Sequence, residues 1–111
     1  MRIACSTSAW RGELEHALAR VSSLGFDSID LICIAQWGHV TIDALVANYE
    51  AEVERVRGLL TKFGLTAVAA NLAITPQLFE RDGEDENALR REHTKLFCRM
   101  MNDLGITKGS Y

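Results

Sequence analysis

Apolar positions along this chain fall into three stretches of helical spacing, and each stretch ends at a glycine set between two apolar residues. Leu14, Ala17, Leu18, Val21 and Leu24 recur at the intervals of one helix face. Tyr49, Val53, Val56, Leu60 and Phe63 repeat that spacing, and Leu89, Leu96, Phe97, Met100 and Leu104 mark a third helix. The stripes are one-sided, as expected of helices laid on a sheet. The junctions are Leu24-Gly25-Phe26, Phe63-Gly64-Leu65 and Leu104-Gly105-Ile106, with glycines 39 and 41 residues apart. Glycine just past a helix can take the left-handed conformation at little steric cost. Each junction therefore predicts a helix-to-strand turn, and the period is that of one β/α unit rather than a solenoid repeat.

The β-prone stretches between the helices predict strands at Arg2–Thr7, Ser28–Cys33 and Thr66–Asn71. A fourth is expected over Ile106–Tyr111, although Lys108, Gly109 and Ser110 are poor strand formers. The alternation implies parallel strands with right-handed crossovers. The expected fold is α/β: a partial (β/α) barrel in one domain over residues 1–111, with three β/α units and a fourth strand begun. A small flavodoxin-like sheet is the alternative; it needs helices on both faces and a reversal of strand order. Neither GxGxxG nor GxxxxGK[ST] occurs, which lowers a nucleotide-binding reading.

Helix starts are marked by Thr41 ahead of Ile42, by Thr75-Pro76, and by Asp85 ahead of the third long helix. The connection from Cys33 to Thr41 carries Gln36, Trp37 and His39, and that from Asn71 to Asp85 is longer. In α/β folds such loops, at the carboxyl ends of strands, build the active-site face.

Composition changes this picture mainly by exclusion. Apolar residues make up 48% and charged residues 24%, ordinary for a globular chain. A net charge of -3 argues against nucleic-acid or anionic-membrane partners, which need a basic patch. No apolar run reaches the roughly 18 residues of a bilayer span, and MRIACSTSAW lacks a signal-peptide core. Cys5, Cys33 and Cys98 are odd in number and widely spaced, which suits reduced thiols and a cytoplasmic location. None has zinc-site spacing.

The segment Leu24-Gly25-Phe26-Asp27-Ser28-Ile29-Asp30-Leu31 closely resembles the LGFDgiEL second-strand motif of the sugar phosphate isomerase/epimerase family, the xylose-isomerase-like TIM barrels. Arg2-Ile3-Ala4-Cys5-Ser6-Thr7 is similar to that family's first strand. Glu52–Leu65, with VRGLLTKFGL, resembles its second helix and the turn into its third strand. The resemblance covers essentially the whole chain and corresponds to the N-terminal part of the family. It implies a metal-dependent chemistry in which a base removes a proton beside a carbonyl while a divalent metal stabilises the enediolate. A complete barrel takes about 250 residues and eight strands, and the family's acidic and histidine metal ligands lie mostly in its second half. The resemblance thus implies no metal site in this chain and no activity of the chain alone.

Asp30 is the sharpest candidate. With Ile29 and Leu31 facing the helices, it points into the barrel. The resemblance implies a substrate-facing role, often filled by Glu; the alternative is a structural carboxylate held by backbone or a first-strand hydroxyl. Ser6, Thr7 and Ser8 offer hydroxyls to a polyol or cap a turn. Trp10, Trp37 and Phe79 stack on a sugar or lid the core. His39 is a ligand or acid/base candidate, with a solvated loop histidine as the blander reading. Gln36 and Asn71 complete the substrate-facing set, Asn71 either meeting substrate or capping a turn. His93 reads as a packed helix residue, His16 as exposed, and Glu80 to Glu86 as a solvated acidic loop.

Two functions follow as expectations. One is the N-terminal portion of a metal-dependent sugar isomerase or epimerase. The other is a non-catalytic half-barrel whose open sheet edges pair two copies into a two-fold homodimer, binding a small sugar-like ligand or a protein partner.

Overall fold

The computed structural model describes residues 3–34, 39–73 and 84–110. Strand β1 (Ala4–Ser6) runs into a 3-10 turn (Thr7–Ala9) and then α1 (Leu14–Ser23) and β2 (Ser28–Ile34). Helices α2 (Ile42–Ala47) and α3 (Tyr49–Phe63) lead to β3 (Thr66–Ala73), followed by α4 (Glu84–Leu104) and β4 (Lys108–Ser110). The fold is α/β, with one parallel sheet in the order β1-β2-β3-β4. This sequential winding is that of a (β/α) barrel. The flavodoxin-like alternative requires a reversal, and the four strands contain none.

The three glycine junctions are helix-to-strand turns. Gly25, Gly64 and Gly105 have φ of 89°, 63° and 72°. Past each helix a backbone N–H reaches back five residues: Phe26 to Val21 (3.4 Å), Leu65 to Leu60 (2.9 Å) and Ile106 to Met101 (2.8 Å). These are the closures of a Schellman turn, which satisfies the last helical carbonyls. At the other ends, Thr41 Oγ1 accepts from Ala44 N and Asn48 Oδ1 from Ala51 N, both at 3.2 Å. Asn48 thereby splits α2 from α3. Two sequence expectations shift. Leu24 is exposed because it is the C-cap of α1 and lies past its buried stripe. Helix α4 starts at Glu84, so Asp85 lies inside it and not at its cap. Thr75-Pro76 lies outside the described residues.

Strand alternation separates two faces. Ile29, Leu31 and Cys33 of β2 and Ala67, Ala70 and Leu72 of β3 are buried in one cluster with Leu14, Leu18 and Val21 of α1, Val53, Val56 and Leu60 of α3, and Phe97 and Met100 of α4. Each large side chain buried there contributes roughly 1.5–3 kcal/mol. The register is Ile29↔Ala67 but Asp30↔Ala69, so Val68 is an extra residue in β3. This β-bulge resets the phase of the strand. Without it, Asn71 rather than Ala70 would face the helices.

Lys108, Gly109 and Ser110, the poor strand formers, are the residues that form β4. Tertiary packing overrides propensity here. Gly109 faces α4, where a β-carbon would sit 2.7 Å from Met101 Sδ and Cε and 3.5 Å from Phe97 Cε1. On the outer layer, Tyr49 Oη donates to Asp103 Oδ2 (2.5 Å), and Arg99 lies 3.9 Å over the Tyr49 ring and 3.0 Å from Glu50. Those contacts clamp α3 to α4. Among the described residues no helix is long and apolar enough to cross a membrane. Cys5, Cys33 and Cys98 are free thiols.

Candidate functional site

The sheet face away from the helices carries the polar alternates. The register aligns Ser6, Asp30, Ala69 and Lys108 in one row across all four strands. The next row toward the carboxyl ends holds Ile32 and Asn71. Asn71 Nδ2 donates to Asp30 Oδ1 at 2.7 Å, diagonally between rows. Both residues are half-buried. A carboxylate in that setting needs a partner, and the amide supplies one while leaving further acceptor positions on the carboxylate.

Thr7 sets the height of this row. β1 ends at Ser6, and the fully buried Thr7 side chain continues the ladder in its place. Its Oγ1 accepts from Ile32 N at 3.2 Å and donates to Asp30 O at 3.4 Å. Two backbone groups of β2 that lack a β1 partner are thus satisfied by one hydroxyl. Ser6 Oγ meanwhile accepts from Ser8 N at 3.3 Å and lies 2.8 Å from Ser8 Oγ, capping the 3-10 turn.

His39 is buried, which corrects the solvated-loop reading. Its Nε2 donates to the Trp10 carbonyl at 2.6 Å, joining the loop after β2 to the turn after β1. Its Nδ1 is buried with no hydrogen-bond partner among the described residues. Arg55 of α3 donates to the His39 carbonyl at 2.9 Å and pairs with Glu52 at 2.5 Å. Burial pushes the imidazole below its usual range, and the Arg55 charge adds to that; the Trp10 carbonyl works the other way. The imidazole is therefore a neutral brace between loops, with its proton committed to Trp10. Nearby Cys33 is pushed up to about 12 by burial, reinforced by the charges of Asp30 and Glu52. A thiol in that state is not a nucleophile.

Of the sequence-derived candidates, the structure brings Asp30 and Asn71 together on the open face, with Ser6 in the Asp30 row. Trp10 packs half-buried against the core and offers its carbonyl to His39, so its ring serves the lid reading. Gln36, Trp37 and Phe79 lie outside the described residues, as does most of the acidic stretch from Glu80. His93 is half-buried on α4 and His16 is exposed. Thr7 takes neither the ligand nor the turn-capping role expected from the sequence; directly after a three-residue strand, its side chain extends the ladder. Lys108 was discounted as a strand residue; the signal was Gly109, whose lack of a side chain against α4 fixes its neighbours on the other face.

A divalent metal, which the resemblance implies for the complete fold, does not fit the described residues. Among the described residues no three His, Cys, Asp or Glu side chains form a metal-holding group. Asp30 is bonded to an amide, and His39 faces Trp10. No family model matches the chain, and no curated protein matches it.

Proposed function

We propose that this chain forms the opening, ligand-facing β/α units of a barrel of the sugar phosphate isomerase/epimerase type, and that its open face binds a small polyhydroxylated ligand. The observation that supports this reading is the Asp30–Asn71 pair, a carboxylate and an amide held 2.7 Å apart on the sheet face opposite the described helices. A carboxylate beside an amide offers acceptors and donors together, which is how polyol hydroxyls are recognised. The reading assigns binding and orientation to these residues and no chemical step.

Amide NMR of the 111-residue chain, titrated with paired aldoses and ketoses and with Mg²⁺ as a separate arm, tests it. The expected result is weak binding, about millimolar, with shifts centred on Asp30 and Asn71 and no turnover. Shifts confined to other surfaces, or none at saturating sugar, overturn the reading.

A second reading is supported by the sheet edges. Among the described residues β1 and β4 are the outer strands, each paired on one side. Unpaired parallel edges favour association, and two copies joined β4 to β1 around a two-fold axis form a closed non-catalytic barrel. Light scattering at micromolar concentration decides this, and a stable monomer overturns it.

A further inference from the structure

We infer that His39 is an acid-sensitive latch on the turn after β1, and that its protonation releases this turn while the sheet stays folded. The turn is strung between two buried anchors, Thr7 and Leu14. Between them Ser8, Ala9, Arg11, Gly12 and Glu13 are exposed, and Trp10 is half-buried. Trp10 is therefore the fixed point of the segment. Its ring packs against the core, and its carbonyl accepts the 2.6 Å bond from His39 Nε2, 29 residues further along the chain. Gly12, with φ of 104° and nothing within 4 Å of an added β-carbon, gives the segment a pivot.

The latch fits one protonation state. As a neutral imidazole, His39 donates through Nε2 and carries a bare lone pair at Nδ1. Protonation replaces that lone pair by an N–H on a buried atom with no partner among the described residues. A buried donor left unpaired keeps its full desolvation cost. The new charge also lies beside Arg55 of α3, which donates to the His39 carbonyl. Glu52 does not offset it, because Arg55 engages both of its oxygens. Glu13, at the start of α1, acts on Arg55 as well. Asp30 and Glu52 act on the Cys33 thiol of β2, and Asp43 of α2 and Arg11 of the turn itself are exposed. Burial and the Arg55 charge hold the closed imidazole below 6.5, against the pull of the Trp10 carbonyl. Once the turn is released the ring meets water and returns to about 6.5. The released form therefore takes up the proton first as pH falls. The closed form is favoured above that value and lost as pH drops through it toward the closed one.

NMR of the 111-residue chain between about pH 7.5 and pH 5 tests this. One readout is the relaxation of the Trp10 indole N–H by a soluble gadolinium chelate, which reports its exposure. The second is the ring titration of the three histidines, and the third is the exchange protection of the β3 amides. The expected result is a severalfold rise in Trp10 relaxation on acidification. Its midpoint coincides with the titration of His39 and not with that of His16 or His93, and β3 protection is unchanged. His39→Gln keeps a donor for the Trp10 carbonyl and cannot titrate, so Trp10 exposure should stay constant in it. If that variant does not fold, the coincidence of midpoints in the wild type decides alone. Constant Trp10 exposure in the wild type, a rise that follows another histidine, or a rise that survives in His39→Gln overturns the latch. A loss of β3 protection in step with Trp10 exposure also overturns it, because the acid transition is then global unfolding.

Discussion

Asn71 and Asp30 sit on neighbouring strands one row apart, and the amide of the first donates to the carboxylate of the second at 2.7 Å. Asn71→Ala leaves a half-buried carboxylate oxygen without this donor. It is expected to cost about 1–2 kcal/mol of unfolding free energy, as for other hydrogen bonds to charged groups. A double-mutant cycle with Asp30→Ala in urea should return a coupling of about 0.5–1.5 kcal/mol. Additive losses would show that the contact contributes nothing to stability.

Thr7→Val keeps the shape of a fully buried side chain and deletes the hydroxyl that joins Ile32 N to Asp30 O. Leaving these groups unpaired should cost about 1–3 kcal/mol. Thr7→Ser, which keeps the oxygen, should lose less. A larger loss for Thr7→Ser than for Thr7→Val in urea denaturation would place the effect in the methyl group.

His39 makes stability fall in mild acid. Its folded pKa is lowered from 6.5, so the unfolded chain takes up the proton first as pH drops. Its contribution is complete above the unfolded value and is lost as pH falls through that value toward the folded one. His39→Gln cannot titrate. The difference in Tm between wild type and variant should therefore shrink between about pH 7.5 and pH 5. Parallel profiles for the two proteins would rule out this role.

Gly64 and Gly58 separate backbone strain from packing. Neither would bring an added β-carbon within 4 Å of a neighbour, but Gly64 has φ of 63° and Gly58 lies within α3. Gly64→Ala should cost about 1–2 kcal/mol through left-handed strain alone. Gly58→Ala should stabilise the chain by up to about 1 kcal/mol through helix propensity. Thermal melts of the two variants should shift in opposite directions.

The β/α order and the glycine junctions were legible because both rest on local physics: helix periodicity and the left-handed turn. The open face was partly legible. Ile29 and Leu31 flank Asp30, so simple alternation places it, but Asn71 is placed only once the extra residue at Val68 is counted. Alternation along Thr66–Asn71 could not reveal that, since alanines at 67, 69 and 70 carry no phase information. The burial of His39 depends on Trp10 and Arg55, 29 and 16 residues away, contacts that no local pattern reports. β4 was undervalued because its composition answers to α4 and not to strand propensity.

The extra residue at Val68 also governs how this chain is to be matched with others. A relative whose third strand lacks it has to be aligned with a one-residue gap at that point. Placed elsewhere, the gap would pair Asn71 with a neighbour's core position, and a shared ligand-facing residue would pass for an unrelated substitution.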